Sequence, residues 1–299
     1  MASQRDVKNR ISSVQNIEKI TRAMQMVAAA RLRRAEQRIE ALRPYAGAIR
    51  RMTRQAAEAA ENVPSLPILN EHESVDRVAI LLVTGDRGLA GAFNSQIIRA
   101  GLRAAAEHEA EGREVVFYAS GRRGVSTLQF RNRAPEGGYT GFTDRPAYAN
   151  AREIADDLMT AYVDGKVDQV EVFYNGYVSA LTQEVRRETL LPLQQATILE
   201  AAPDEDEAEG TGHHALVEYE PDPEEILRRL IPDYVEISIF RALLESTASE
   251  HGARMTAMRN ASENAGELIE DLTLEMNRAR QADITQEIME VVAGAESLV

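Results

Sequence analysis

The chain has 299 residues, of which 44% are hydrophobic and 27% are charged, and its formal net charge is −14. This hydrophobic fraction is enough for one or two cores, so a wholly disordered protein is excluded. The absence of cysteine excludes disulfides, cysteine-ligated metal centres and thiol nucleophiles. The charge is uneven, because residues 1–54 contain 13 Lys and Arg against 4 Asp and Glu while the remainder is strongly acidic.

Nucleic-acid binding and membrane insertion are both disfavoured by composition. Aromatic residues make up 5% of the chain, so the stacking platforms of single-strand binders are missing. The longest apolar run, residues 78–83, is far shorter than the ~18 residues of a membrane-spanning helix, so any membrane association should be peripheral. Charged residues begin at Arg5 and Asp6 and leave no room for an apolar signal region, which predicts a cytoplasmic, bacterial protein.

Residues 1–60 are predicted to form one long helix. Residues 7–46 contain no glycine and only one proline, Pro44, which removes a backbone hydrogen bond and is a candidate kink. Small and apolar residues recur at spacings of three and four, as on one face of a helix. This stripe consists of Ile20, Met24, Val27, Ala35, Ile39, Leu42, Ala46 and Ile49.

The other end of the chain, residues 224–299, has the same character. No proline follows Pro232, and a second stripe consists of Phe240, Leu244, Thr247, His251, Met258, Ala261, Ala265, Leu268, Leu272, Met276 and Ala279. We predict that the two helices pack together as a slender antiparallel coiled coil whose weakly apolar seam leaves surface for partners. A coiled-coil scaffold that self-associates through these stripes is one alternative.

Residues 74–195 are predicted to form a Rossmann-like α/β domain with a mainly parallel sheet, because strand-like and helix-like segments alternate. The strand-like runs are residues 76–84, 114–120 and 169–175, and the helix-like segments are residues 93–110 and 147–163. Residues 196–223 are acidic and turn-rich, which predicts a linker loop before the last helix.

The strongest candidate for a ligand site is the turn at residues 84–94 (TGDRGLAGAFN), directly after the first strand. Gly85, Gly88 and Gly91 would let backbone amides approach a phosphate at a helix start. However, the spacing matches neither GxGxxG nor a Walker loop. A structural turn or a partner contact is therefore favoured, and a nucleotide-binding α/β protein is the second alternative.

The remaining polar clusters are interpreted as structural. His213 and His214 adjoin on a loop without a third ligand at a suitable spacing, and His251 lies on the apolar stripe. The acidic run at residues 204–207 lacks the spacing of an EF-hand loop. We therefore predict no catalytic residue, no metal site and no cofactor.

The two ends of the chain carry a family resemblance. Residues 11–35 (ISSVQNIEKITRAMQMVAAARLRRA), followed by RPYA at 43–46, resemble the N-terminal signature of F-type ATP synthase gamma subunits, and residues 277–298 (NRARQADITQEIMEVVAGAESL) resemble their C-terminal signature. The turn at residues 84–94 and the YEPDP at residues 219–223 are similar to the same family. The resemblance covers essentially the whole chain in order, and two long motifs at opposite ends make it specific.

The resemblance implies a non-catalytic subunit, the rotating central stalk of F1. One copy would stand inside a ring of three alpha and three beta subunits and would contact the epsilon subunit and the c-ring. The complex would lie peripherally on the cytoplasmic face of the bacterial inner membrane. Rotation would impose a different conformation on each catalytic pair and so couple proton-driven rotation of the c-ring to ATP synthesis or hydrolysis. The cysteine-bearing regulatory insertion of plant chloroplast members is absent, so redox control is not implied.

The same resemblance assigns side chains to partners. Contacts with the alpha and beta subunits are expected at Met26, Arg31, Arg33, Arg34, Arg280, Gln281, Thr285, Glu287 and Glu290. Contacts with the epsilon subunit or the c-ring are expected at Asp86, Arg87, Asn94, Tyr219, Glu220 and Asp222. The tail at residues 291–299 is expected to lie in an apolar collar.

Overall fold

A computed structural model describes residues 4–59, 67–193 and 222–296. The elements in chain order are α1 (Gln4–Ala59), β1 (Arg77–Val83), α2 (Phe93–Ala110), β2 (Glu114–Ser120), α3 (Arg122–Phe130), β3 (Gly137–Tyr139), α4 (Tyr148–Val163), β4 (Gln169–Tyr177), β5 (Gln183–Leu191) and α5 (Pro223–Glu296). In this part of the chain, no helix is both long and apolar enough to cross a membrane.

The chain divides into two compact units. The helical unit consists of Met1–Ala30 and Arg254–Val299, and the sheet unit consists of Arg31–Ala253. Both long helices contribute residues to both units. The domains at 1–60, 74–195, 196–223 and 224–299 stay a prediction, and residues 196–221 lie outside the described residues.

Apart from Arg254 at its boundary, the buried side chains among the described residues of the helical unit recur at intervals of seven or fourteen residues. They are Val7, Thr21 and Ala28 on α1 and Met258, Ala265 and Leu272 on α5. A repeat of seven is the spacing of a coiled-coil seam, in which each side chain inserts between residues of the facing helix. The predicted stripe on α5 is thus confirmed at Met258, Ala265 and Leu272.

The predicted stripe was wrong at three positions. Ile20 is 59% exposed, Val27 is 54% exposed and Leu268 is 44% exposed. On α1 the buried positions follow one residue later, at Thr21 and Ala28. On α1 the seam buries the small side chains of Thr21 and Ala28, which let the backbones approach, whereas the bulkier Ile20 and Val27 stay on the surface.

The sheet has the strand order β3-β2-β1-β4-β5. β1 pairs in parallel with β2 and β4, β2 pairs in parallel with β3, and β5 runs antiparallel to β4 at the edge. The predicted mainly parallel sheet is confirmed. β1 is a nearly continuous apolar run because it is central and covered on both faces.

Each face of the sheet is covered by different helices. Ile80 and Leu82 of β1 pack with residues of α2 and α3, such as Ile97 and Leu128. The opposite face packs against α4 and α5, and its buried residues include Leu81, Ile154, Leu158, Leu227, Ile231 and Val235. The last helix of the chain is therefore part of the core of the sheet unit.

Helices α1 and α5 pack in opposite directions within the sheet unit. Ile49 of α1 packs with Leu230 and Ile237 of α5, whereas Ala35, earlier on α1, lines one cavity with Leu244, later on α5. Residues later on α1 thus pack against residues earlier on α5. This arrangement agrees with the predicted antiparallel pairing.

The start of α5 is fixed by its sequence. The side-chain Oδ1 of Asp222 accepts a hydrogen bond from the backbone N of Glu224 at 3.2 Å, and Pro223 is the first helical residue. An aspartate cap followed by proline is a favourable helix start. The helix then continues through Pro232, and α1 likewise continues through Pro44.

A charged network around the buried Glu171 joins β4, β5 and α2. Glu171 is 3% exposed, and its carboxylate accepts hydrogen bonds from Nε and Nη2 of Arg187 at 3.0 and 2.9 Å. His108 Nε2 lies 3.3 Å from the same carboxylate. The guanidinium of Arg187 also lies over the ring of Phe173, 5.7 Å from its centroid. A charge as buried as that of Glu171 is tolerated only with such compensation.

Candidate functional site

The carboxyl edge of the sheet is the place where a doubly wound fold binds ligands, next to the point at which the strand order reverses. Here that point lies between β1 and β4, because the chain proceeds from β1 to β2 on one side and returns to β4 on the other. The turn at residues 84–94 follows β1 directly. Its position is therefore that of a ligand-binding turn.

The carboxylate of Asp86 occupies this position. Its Oδ2 accepts hydrogen bonds from the backbone N of Gly141 at 2.9 Å, from the backbone N of Thr143 at 3.2 Å and from the Thr143 hydroxyl at 3.0 Å. Its Oδ1 accepts one from the backbone N of Arg122 at 3.1 Å. Arg122 is the first residue of α3, so the side chain sits at a helix N-terminus, where a phosphate binds in other proteins.

The hydrogen bonds also set the charge of Asp86. Burial by itself would raise the pKa of this carboxyl, but the bonds from Gly141, Arg122 and Thr143 outweigh burial and lower the pKa. Asp86 is therefore ionised at neutral pH. The carboxylate of Asp86 thus occupies the backbone amides that would otherwise be available to the phosphate of a ligand.

We expect Asp86→Asn to lower the free energy of unfolding at pH 7 by about 1–3 kcal/mol, because donors are left without an ionised acceptor. Since folding lowers the pKa of Asp86, its contribution is present above about pH 4 and is lost as the pH falls through the folded-state pKa. The difference between the two proteins should therefore shrink below about pH 4. Urea unfolding from pH 7 to pH 3, followed by circular dichroism, measures this.

The control for this prediction is Asp156→Asn, which changes an exposed aspartate on α4 that lies 3.9 Å from Arg152. It should leave the free energy of unfolding nearly unchanged at every pH. A difference between Asp86→Asn and the unmodified chain that stays constant down to pH 3 would contradict the role assigned to Asp86.

Other polar groups of the turn also bond within the chain. The backbone N of Gly85 donates to Asn94 Oδ1 at 2.8 Å, and Asn94 Nδ2 donates to the carbonyl of Arg87 at 3.3 Å. Gly121, between β2 and α3, has φ +93, and a Cβ there would lie 2.2 Å from the carbonyl oxygen of Thr84. Only glycine permits this approach, which brings the start of α3 close to the turn.

Helix α5 closes the same edge. Its hydroxyl groups donate to the carbonyls at this edge, Ser246 to Val83 at 3.5 Å, Thr247 to Thr143 at 2.9 Å and Ser249 to Asn175 at 3.1 Å. A Cβ on Gly85 would lie 2.7 Å from the carboxylate of Glu250. The space that remains in this crevice is about 10 Å³, which is at most the room for one water molecule. The crevice is filled by the protein itself.

The side chains predicted to meet the alpha and beta subunits lie on the surface of the two long helices. Met26 is 63% exposed, and Arg33 and Arg34 are exposed. Arg31 instead forms an ion pair with Asp144 at 2.6 Å. The five assigned residues of α5, all exposed, are Arg280, Gln281, Thr285, Glu287 and Glu290.

The residues predicted to face the epsilon subunit or the c-ring are divided. Asp86, Asn94 and Asp222 make hydrogen bonds within the chain, and Arg87 is exposed with its guanidinium 3.7 Å from Asp144. Tyr219, Glu220, His213, His214 and residues 204–207 lie outside the described residues. His251 is buried in the sheet unit, as expected for a residue of the stripe.

Sequence reasoning missed the polar face of α5 that closes the sheet. The available signal was the run of small hydroxyl residues Ser246, Thr247 and Ser249, which follows the apolar residues of this helix. Within the described residues, no group of three or more His, Asp or Glu side chains is placed to hold a metal ion.

Comparison with known proteins agrees with the resemblance. A family model described as ATP synthase matches residues 3–298. The ATP synthase gamma chains of Rubrobacter xylanophilus and Moorella thermoacetica are 45% and 44% identical to this chain, covering 100% of it and 99% and 100% of their own lengths.

Solved structures give the same answer for the fold. The central stalk and c-ring structure of Tetrahymena thermophila mitochondrial ATP synthase contains a chain that is 27% identical, with a TM-score of 0.60 over 81% of this chain and 99% of that one. A chain of the Euglena gracilis mitochondrial ATP synthase rotor, 16% identical with a TM-score of 0.63 over 94% of this chain and 98% of that one, shows the fold alone. The chain therefore belongs to the ATP synthase gamma family.

Proposed function

We propose that this chain is the rotating central stalk of an F-type ATP synthase and that it carries no catalytic site of its own. One copy stands inside a ring of three alpha and three beta subunits. The sheet unit contacts the epsilon subunit and the c-ring at the cytoplasmic face of a bacterial inner membrane. Proton-driven rotation of the c-ring turns the stalk and changes the nucleotide affinity of each catalytic pair.

The observation that carries this proposal is the closure of the sheet edge by α5. A nucleotide-binding sheet keeps this crevice open, whereas here the hydroxyl groups of α5 bond to the strand ends and Asp86 takes the amides of Arg122, Gly141 and Thr143. The sheet unit therefore holds a long helix instead of a ligand. This geometry favours a sheet unit that anchors the long helix over a sheet unit that binds a nucleotide.

The coupling follows from differential binding. A single stalk inside a threefold ring presents a different face to each catalytic pair, and it can shift a site only by as much as it binds one conformation better than another. The exposed Arg33 and Arg34 supply directional charge toward acidic loops of the catalytic subunits. The exposed apolar residues Ile288, Met289 and Val291 near the end of α5 supply a bearing surface without a preferred angle.

Reconstitution tests this proposal. The chain is produced together with the alpha, beta and epsilon subunits of the same organism, and the purified complex is weighed by native mass spectrometry. We expect three alpha, three beta and one copy of this chain, with ATP hydrolysis that depends on the chain. Subunits purified without the chain are the control. A homodimer that ignores the other subunits would favour the coiled-coil scaffold and would contradict the proposal.

A further inference from the structure

A cavity of about 410 Å³ lies within the sheet unit, between α1, α5 and the segment that precedes α4. Its wall includes four arginines, Arg31, Arg34, Arg38 and Arg145, and its apolar part includes Ala35 and Leu244. This volume is in the usual range of small-molecule sites, about 300–1,000 Å³. The cavity adjoins the closed edge of the sheet, because Thr247 lines both, but its arginines are not part of that edge.

The cavity carries an excess of positive charge. Asp144, the one carboxylate among its described lining residues, pairs with Arg31 at 2.6 Å and lies 3.7 Å from Arg87. Within the described chain, Arg34, Arg38 and Arg145 have no carboxylate at ion-pair distance. Three guanidinium groups that share one concavity repel each other, and a bound anion would relieve this repulsion.

The arginines come from two separate elements. Arg31, Arg34 and Arg38 follow each other at spacings of three and four on α1, so they share one helix face. Arg145 approaches from the other side. It lies on a turn in which its own backbone N–H donates to the carbonyl of Phe142 at 2.8 Å. Donors that converge from two elements can surround a compact anion, whereas a flat row of charge would suit an extended protein surface.

We propose that this cavity binds a small anion with two or more phosphoryl groups, either pyrophosphate or the phosphate chain of a nucleotide. Arginine is suited to this class because its planar fork of donors matches phosphate oxygens in pairs. The inference goes beyond the stalk function, because that function needs no small ligand. Nor does it use the turn at residues 84–94.

Titration of the full-length chain with pyrophosphate by isothermal calorimetry tests the proposal. Arg38→Gln and Arg145→Gln should each raise the dissociation constant at least about tenfold, since each removes a charge-assisted contact. Arg99→Gln is the matched control, because Arg99 is an exposed arginine on α2 with no ion pair among the described residues. It should leave binding unchanged. Circular dichroism establishes that each variant is folded.

A third variant is expected to lose no affinity for pyrophosphate. Asp144→Asn removes the carboxylate that competes with the anion for the arginines, so this variant should bind pyrophosphate at least as tightly as the unmodified chain. Tighter binding of ADP than of pyrophosphate at the same site would identify a nucleotide as the source, and tighter binding of pyrophosphate would identify an inorganic anion.

Three results would overturn the proposal. The first is no binding of pyrophosphate by the unmodified chain at millimolar concentration. The second is binding that Arg38→Gln and Arg145→Gln leave unchanged, or that Asp144→Asn weakens several-fold. The third is displacement of pyrophosphate by an acidic peptide that binds more tightly, which would assign the cavity to a protein partner. None of them affects the reconstitution test of the stalk function.

Discussion

Arg187→Leu is expected to lower the free energy of unfolding by about 3–5 kcal/mol, because it leaves the charge of Glu171 buried without its partner. The leucine keeps part of the contact with Phe173 but provides no donor for the carboxylate. The amide of Gln169 donates to Glu171 at 3.2 Å and His108 lies 3.3 Å from it, but these neighbours do not replace two short bonds from a guanidinium. Urea unfolding of the full-length chain, followed by circular dichroism, measures the loss.

The chain offers a matched control for this variant. Arg133 also forms two hydrogen bonds to a carboxylate, that of Glu109 at 2.6 and 3.0 Å, and it also lies over a phenylalanine, Phe117. However, Glu109 is 40% exposed, so water can replace the arginine. Arg133→Leu should cost only about 0–1 kcal/mol. Equal losses in the two variants would mean that burial of the carboxylate is not what makes Arg187 important.

Arg33→Glu combined with Arg34→Glu should uncouple the assembled complex, lowering ATP-driven proton pumping by at least about tenfold, because like charges placed opposite each other at an interface cost several kcal/mol. Both side chains are exposed, so the sheet unit should fold as before. Acidification of inverted membrane vesicles, measured with a pH-sensitive dye, reports pumping. ATP hydrolysis measured on the same vesicles reports the catalytic sites.

Two further variants make this experiment specific. Arg99→Glu with Arg103→Glu makes the same change in charge at exposed positions of α2, and pumping should persist. Arg33→Glu alone leaves Arg34 in place, which also lines the basic cavity. A loss of pumping in this single variant would therefore be caused by the change at the stalk surface and not by a change in the cavity. Unchanged pumping in the double variant would remove Arg33 and Arg34 from the coupling contact.

The regular elements were predictable where burial dictates the residue type. β1 and β2 are buried and apolar enough to be recognised from sequence, and α2 was predicted with its observed bounds, Phe93–Ala110. β5 escaped prediction because it is an edge strand whose charged residues, among them Arg186, Arg187 and Glu188, pair with carboxylates or cations elsewhere in the fold. No apolar alternation was present to reveal it.

Short elements escaped for other reasons. β3 has three residues, two of them glycine, and three residues give no periodicity. Helix α3 contains Gly124 at a point where a Cβ would lie 2.7 Å from the Thr84 hydroxyl oxygen, so close packing selected a residue that disfavours helices in isolation. Both β3 and α3 therefore form because of tertiary contacts that the local sequence does not reveal.

The candidate site was predictable only in part. The position of the turn at residues 84–94 followed from the strand before it, but its occupant did not, because the amides that Asp86 binds come from Arg122, Gly141 and Thr143, which are distant in sequence. The closure by α5 adds Ser249, which bonds to Asn175, 74 positions earlier in the chain. Sequence spacing cannot reveal a site assembled from such distant segments.

The place of α5 in the core has a consequence for biosynthesis. One face of the sheet needs Leu227, Ile231 and Val235, yet the strands are complete at Leu191. At a translation rate of 5–20 residues per second, roughly 3 to 12 s pass before the chain has been extended to the end of the sheet unit. During this interval the nascent strands expose apolar surface on the ribosome, and we expect a chaperone to protect them until the last helix emerges.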